Sequence, residues 1–191
     1  MMEVVFLGPD GSGKSTVINA VQERLKLYGI GYSYHYLVPG YMPRYKDVNN
    51  GVPNTNPHGK MKHGVCKSLV KLVYWFLEYR LGINRLQKSN KVRLFDRYFY
   101  DILVDPSRYC YGASPICSRI VAKLIPKPKL LVIVDAPTDV IQQRKQEVSW
   151  QETDRQRSRY LSLEGKYCRT IVIDTTLDIQ LNVDKIIEEI S

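Results

Sequence analysis

The stretch VVFLGPDGSGKST, residues 4–16, constrains this chain more than any other. A short apolar run, Val4, Val5, Phe6 and Leu7, passes into a glycine-rich turn and then into a helical pattern. Gly8, Gly13, Lys14 and Ser15 meet every fixed position of the spacing G-x-x-x-x-G-K-[ST]. Each residue type has a physical task in that spacing. Glycines let successive backbone N–H groups converge on one anion, and the helix that follows adds its positive end. Lys14 reaches the outer phosphates as a point charge, and the Ser15 hydroxyl ligates a magnesium ion held mainly by phosphate oxygens and water. Gly11, Ser12 and Thr16 complete the cradle. The expectation is a loop that binds the tail of a nucleoside triphosphate. The alternative is an ordinary Gly/Ser turn, which the strand before it and the helix after it disfavour.

At 191 residues the chain is expected to be a single domain, 1–191, with one sizeable core. Apolar content of 44% and charged content of 25% place it with soluble globular proteins. No run approaches the length of a membrane span, and the chain enters its first strand without a leader-like segment, so a cytoplasmic protein without membrane partners is expected. Cys66, Cys110, Cys117 and Cys168 have neither metal-finger nor C-x-x-C spacing and read as reduced thiols. The formal charge of +9 has two explanations. One is a nucleic-acid partner; the other is a site for polyanionic substrates, rich in Arg and Lys. No nucleic-acid motif appears, which favours phosphate chemistry.

Helical spacing covers 17–28, and Gly29 closes it as a C-cap. A second strand is expected over 32–38. Residues 39–60 carry four prolines, four asparagines and three glycines, a loop composition. A long helical pattern fills 61–88, then a strand at 92–95 ends at Asp96. A Tyr-rich connection leads to a helix at 116–124, and the β-branched run KLLVIVD, 129–135, is the clearest buried strand. Helices are expected at 138–147 and, after a break at 146–153, at 152–166. RTIVID, 169–174, makes the last strand, and 179–190 the closing helix. Alternation of this kind predicts an α/β fold of three layers, a five-stranded parallel sheet with helices on both faces. Ligands of such sheets bind beyond the carboxyl ends of the strands, which would gather residues 8–15, Asp96, Arg97, Asp135 and Asp174 on one rim.

Asp96 and Arg97 emerge from a strand beside the glycine-rich turn. The carboxylate suits a magnesium-bound water or a substrate proton, and the guanidinium suits phosphate oxygens; capping of a neighbouring helix is the competing reading. His35, His58 and His63 lack metal-ligand spacing and read as surface or loop residues. Lys60, Lys62 and Lys67 read as a solvated face.

Taken together, GPDGSGKST, FDRY and VIVDAPTDVIQQRKQE resemble thymidylate kinase and its nucleoside-monophosphate kinase relatives, in family order from Val4 onward. The resemblance implies the P-loop kinase fold, ATP as phosphoryl donor, Mg2+, and a homodimer as an option. It implies that Asp10 lies near the acceptor's sugar. Phe76 and Arg80 match the family's Phe-x-x-x-Arg pair at the acceptor, and Asp96-Arg97 its DR pair. Four-residue spacing does put Phe76 and Arg80 on one helix face, yet Leu72, Trp75, Phe76 and Tyr79 also form an apolar stripe of the kind that packs into a core. An acceptor region at about 39–90 and a lid at about 144–159 follow. That lid carries Arg144, Lys145, Arg155, Arg157 and Arg159, of which Arg144 and Arg155 are the leading candidates for the cation on the transferring phosphoryl group, because Ser12 stands where other members carry a loop arginine. The lid segment also fits a solvated helix laced with ion pairs, since Glu147, Glu152 and Asp154 are interspersed.

Two stretches depart from the family. Its Arg-Glu-Pro-Gly is replaced by Leu37-Val38-Pro39-Gly40, with Arg44 as the substitute cation, and residues 105–109 replace its Ser and Ala-Tyr-Gln. Both departures fall on the acceptor side. The expectation is therefore an ATP- and Mg-dependent kinase of a small acceptor, a nucleoside monophosphate first and a nucleoside or sugar second. A GTPase-like switch lacks its Asn-Lys-x-Asp and Asp-x-x-Gly elements here, and a degenerate kinase kept as a binding module is the third reading.

Overall fold

A computed structural model describes residues 2–43, 63–86 and 91–190. In chain order the elements are β1 Met2–Leu7, α1 Lys14–Leu27, β2 Tyr32–Tyr36, α2 Val65–Arg85, β3 Val92–Asp96, α3 Asp101–Val104, α4 Pro115–Leu124, β4 Leu130–Asp135, α5 Thr138–Arg144, α6 Trp150–Leu161, β5 Thr170–Asp174 and α7 Ile179–Ile190. The five strands form one parallel sheet in the order β2-β3-β1-β4-β5, flanked by helices. The chain divides into two compact units, Met1–His35 with Gln87–Tyr98 and Lys127–Ser191, and Tyr36–Leu86 with Phe99–Pro126.

In the first unit β1 and β4, inside the sheet, are largely apolar because both faces of a parallel sheet are covered. On one face Val4, Phe6, Val92, Leu94, Leu130, Val132, Val134 and Ile173 pack with Val17, Ile18, Val21 and Leu25 of α1 and with Val183, Ile186 and Ile187 of α7. Alternation sends the intervening residues, Val5, Leu7, Phe95, Leu131 and Ile133, to the other face, where they are equally buried. Truncating one of these core leucines to alanine costs about 2–5 kcal/mol.

The second unit is built on α2. Its buried stripe, Ser68, Lys71, Leu72, Trp75, Glu78, Tyr79 and Gly82, recurs every three or four residues. Trp75 meets Phe99 and Tyr109 edge-on, with ring centroids 5.9 and 5.2 Å apart. The Glu78 carboxylate accepts the backbone N–H groups of Tyr41 at 2.7 Å and Met42 at 2.6 Å, and the Tyr79 hydroxyl donates to Leu37 O. These bonds satisfy the backbone of a segment that joins no sheet ladder.

Several boundaries differ from the sequence reading. The second strand stops at Tyr36, because Leu37 turns into the left-handed region at φ 64° and the Val38 N–H bonds Tyr36 O at 2.7 Å. The helix expected to reach 147 ends at Arg144, where Lys145 becomes extended. The break is 145–149, and α6 starts at Trp150, earlier than expected, because the Ser149 side chain caps it by accepting from Glu152 N. It also ends earlier, at Leu161, and residues 162–166 follow as turns. The Tyr-rich connection holds the short helix α3. His35 lies within β2, not in a loop; its ring stacks on Phe95 at 5.0 Å and bonds Ser33 Oγ at 3.0 Å. Most of 39–60, with Arg44, His58 and Lys60, and also Lys62, lies outside the described residues.

Candidate functional site

Strand register builds the rim. Phe6 pairs with Asp96, Leu7 with Ile133 and Asp135 with Asp174, so the residues that follow all four strands leave the sheet at one end. Register also separates their side chains. Asp96 pairs with Phe6, a member of the layer packed on α1, so its carboxylate leaves the sheet on the α1 face. Asp135 and Asp174 follow Val134 and Ile173 of that same layer and therefore point to the other face. Asp174 is spent on the turn after it, accepting from the backbone N–H and hydroxyl of Thr176. Only Asp96 of the three shares the face of α1.

The turn at residues 8–13 depends on glycine at two close approaches. A Cβ on Gly8 would sit 2.3 Å from Val134 O, and one on Gly11, at φ +87°, would sit 2.9 Å from Ile141 O and 3.2 Å from Lys145 Cβ. No bulkier residue fits either place without moving backbone. Directly after Gly13 comes α1, with no side-chain cap bond and no acid in its first turn. Its leading N–H groups have no intrahelical partner, and Ser15 and Thr16 there are exposed. Lys14 is only 7% exposed and folds back over the turn, its Nζ donating to Gly8 O at 2.8 Å and Pro9 O at 2.7 Å. Ser12 is fully buried and its hydroxyl has no partner.

Asp10 collects the charges around this turn. Arg97 Nη2 donates to Asp10 Oδ1, and Lys14 Nζ stands 3.8 Å from the same oxygen. Arg97 is buried and its backbone is left-handed at φ 69°, a conformation that costs a non-glycine residue about 1 kcal/mol. Its side-chain bond to Asp10 and its N–H bond to Phe6 O, 3.0 Å, hold it there. Glu147, from the segment after α5, also meets Asp10; burial first, and then the bond with Asp10, push its carboxyl above the usual carboxylate range, against a Lys145 ion pair at 2.5 Å. Glu147 and its contact with Asp10 were not legible in the sequence. Neither was Tyr34, whose hydroxyl donates to Asp96 Oδ2 at 3.2 Å. The other oxygen of Asp96 is buried and has no partner.

That orphaned oxygen tests the fit for a divalent cation. Among the described residues no group of three His, Cys, Asp or Glu side chains could hold a metal. A hydrated magnesium ion carried by phosphates needs fewer protein ligands, and Asp96 with the exposed Ser15 hydroxyl, on the same face of the sheet, suits it.

Arg144, Arg155 and Arg157 of the segment 144–159 are bonded to other groups of the protein. Arg144 donates to Thr175 Oγ1 at 2.8 Å and Thr175 O at 3.1 Å, and Arg155 Nε donates to Glu152 at 2.6 Å within its own helix. Arg157 makes a two-pronged bond to Asp135, at 2.8 and 2.9 Å, which raises the basicity of its guanidinium. Phe76 and Arg80 belong to α2 of the second unit. Phe76 is half-buried and Arg80 exposed, so Phe76 stands off the buried stripe to which its spacing had joined it. No helix among the described residues is long and apolar enough to cross a membrane. Compared with protein-family models and with curated proteins, the chain matches none.

Proposed function

We propose that this protein is an ATP- and Mg-dependent phosphotransferase of the thymidylate-kinase type, acting on a small acceptor. One observation carries the reading. An uncapped helix start, a buried lysine folded over a glycine-rich turn and a carboxylate with an unpartnered oxygen occur on one face of one sheet rim. A helix N-terminus with converging N–H groups favours a polyanion, and Lys14 exchanges its two carbonyl bonds for phosphate oxygens when one arrives.

Within this reading residues 8–16 hold the donor phosphates and Lys14 neutralises the outer ones. Magnesium, held by Ser15 and Asp96 directly or through water, would neutralise charge as it builds on the bridging oxygen. Arg97 presents a guanidinium whose direction is fixed by Asp10 and by its own backbone. The transition state of phosphoryl transfer is loose, so positioning and charge neutralisation supply most of the rate. A nucleoside monophosphate heads the acceptors, with Phe76 and Arg80 as its contacts, and a nucleoside or sugar follows. No nucleic-acid partner and no membrane partner enters this reading, and the reducing cytoplasm suits its free thiols.

The homodimer has a surface to use. On α2, Val70, Val73, Leu77 and Leu81 remain exposed opposite the buried stripe, at the spacing of a helix–helix seam. Sedimentation of the wild type against Val73→Lys and Leu77→Lys tests it; identical monomeric profiles reject it. The enzymatic reading is tested by ATP turnover against a panel of nucleoside monophosphates, nucleosides and sugars. Turnover with one class supports it, and an absence of ATP binding by the folded chain overturns it.

A further inference from the structure

The cations of the segment 144–159 are held in unequal ways. Arg155 bonds Glu152 within α6, and Arg144 grips Thr175, which in turn donates its hydroxyl to Ser12 O at 2.8 Å. Arg144 therefore buttresses the back of the turn. Arg157 reaches from α6 to the tip of a strand.

That tip adjoins the turn on two sides. Val134, the residue before Asp135, places its carbonyl against Gly8. The Asp135 carbonyl accepts from Thr175 N at 3.0 Å, and Thr175 packs on Gly13. The Asp135–Arg157 pair is partly open to solvent, with side-chain exposures of 13% and 30%, so water reaches the carboxylate when the guanidinium leaves it. The base of the helix is secured elsewhere. Trp150 Nε1 donates to Asp139 at 2.7 Å, the Thr138 hydroxyl to Asp154 at 2.8 Å, and Gln142 to Val148 O at 3.1 Å.

We infer that Asp135 is a docking carboxylate that stores the Arg157 guanidinium at the sheet rim until the phosphates of the donor nucleotide replace it. Arg157, rather than Arg144 or Arg155, is then the cation that the segment 144–159 contributes to the donor. The inference rests on the phosphotransferase reading above. Its physical basis is an exchange of like for like: a planar fork that binds one carboxylate through two bonds binds a phosphate group equally well. Because α5 and α6 remain fastened to one another, the exchange requires a side-chain swing and no unfolding. Asp135 then competes with the nucleotide for one cation, and its removal tightens binding.

The experiment measures ATP affinity of the full chain by isothermal titration, with a thermal melt for each variant. Asp135→Asn keeps the size of the residue and the backbone bond to Thr175; it is expected to bind ATP about tenfold tighter than the wild type. Arg157→Ala is expected to bind about tenfold weaker, Arg157→Lys between the two, and the double variant no tighter than Arg157→Ala. Where Arg157→Ala fails to fold, Arg157→Lys carries the comparison. If Asp135→Asn weakens binding, or if Arg157 variants bind as the wild type while Lys14→Ala has lost affinity, the pair is a fold contact and the inference falls alone. If Lys14→Ala binds ATP as the wild type does, the phosphotransferase reading falls with it.

Discussion

Two lysines, one in each unit, are both almost wholly buried and both bonded to backbone carbonyls. Lys14 donates to Gly8 O and Pro9 O, in the turn immediately before it. Lys71 donates to Tyr109 O, 38 residues away, and its ammonium lies 5.3 Å from the centre of the Trp75 ring. Their chemistry is the same and their settings are opposite. Lys14 stands at an uncapped helix start beside exposed Ser15 and Thr16, where under the proposed function an anion replaces the carbonyls. Lys71 lies in a stripe of aromatic rings, where its charge closes the account of a distant loop. A buried cation is thus informative about function only through what surrounds it. The same contrast separates the acids: Asp96 keeps an oxygen without a partner, whereas each oxygen of Glu78 accepts a backbone N–H group.

The largest expected effect breaks that symmetry directly. Lys14→Ala should lower ATP turnover at least a hundredfold, on the order of 3 kcal/mol, while leaving the melting temperature close to the wild type. Lys71→Ala should do the reverse, costing about 1–3 kcal/mol in urea denaturation and sparing turnover per folded molecule. Equal losses of stability in the two variants would erase the distinction. Glu78→Ala, which orphans the N–H groups of Tyr41 and Met42, is expected to cost about 1–3 kcal/mol in the same assay; an unchanged urea midpoint would show that water replaces the carboxylate.

A smaller effect sharpens the comparison by pH. The Glu147 carboxyl holds its proton to higher pH in the folded chain than in the unfolded one. Its contribution is therefore complete below the unfolded value, about 4.3, and is lost as pH rises through the folded one. Glu147→Gln should raise the melting temperature at pH 8 and converge with the wild type near pH 4. A constant difference across that range would mean that Glu147 acts by packing alone. The least change concerns Cys168, whose thiol burial pushes up to about 11. At pH 8 a disulfide reagent should modify exposed Cys66 well before Cys168, and comparable rates would contradict the burial.

What the sequence makes legible follows from the range of each interaction. The strand tips, the glycine-rich turn between β1 and α1 and the α/β alternation rest on residues close in the chain, and all fall where the patterns of 4–16, 92–96 and 129–135 put them. Boundaries fail where one backbone angle decides, as at Leu37, or where a cap outranks hydrophobic period, as at Ser149. Partnerships across the fold are out of reach of pattern reading. Nothing in the spacing of Arg157 and Asp135, or of Glu147 and Asp10, announces that each pair meets. Lid arginines chosen by sequence, Arg144 and Arg155, prove to be held by Thr175 and Glu152 for the same reason.

The contact of Gly11 with Ile141 O and Lys145 Cβ joins the turn mechanically to the end of α5. With no side chain between them, a displacement of a few tenths of an ångström on one side is transmitted to the other. A fluorophore attached near residue 149, remote in sequence from the glycines, would then act as an optical gauge of whatever occupies them.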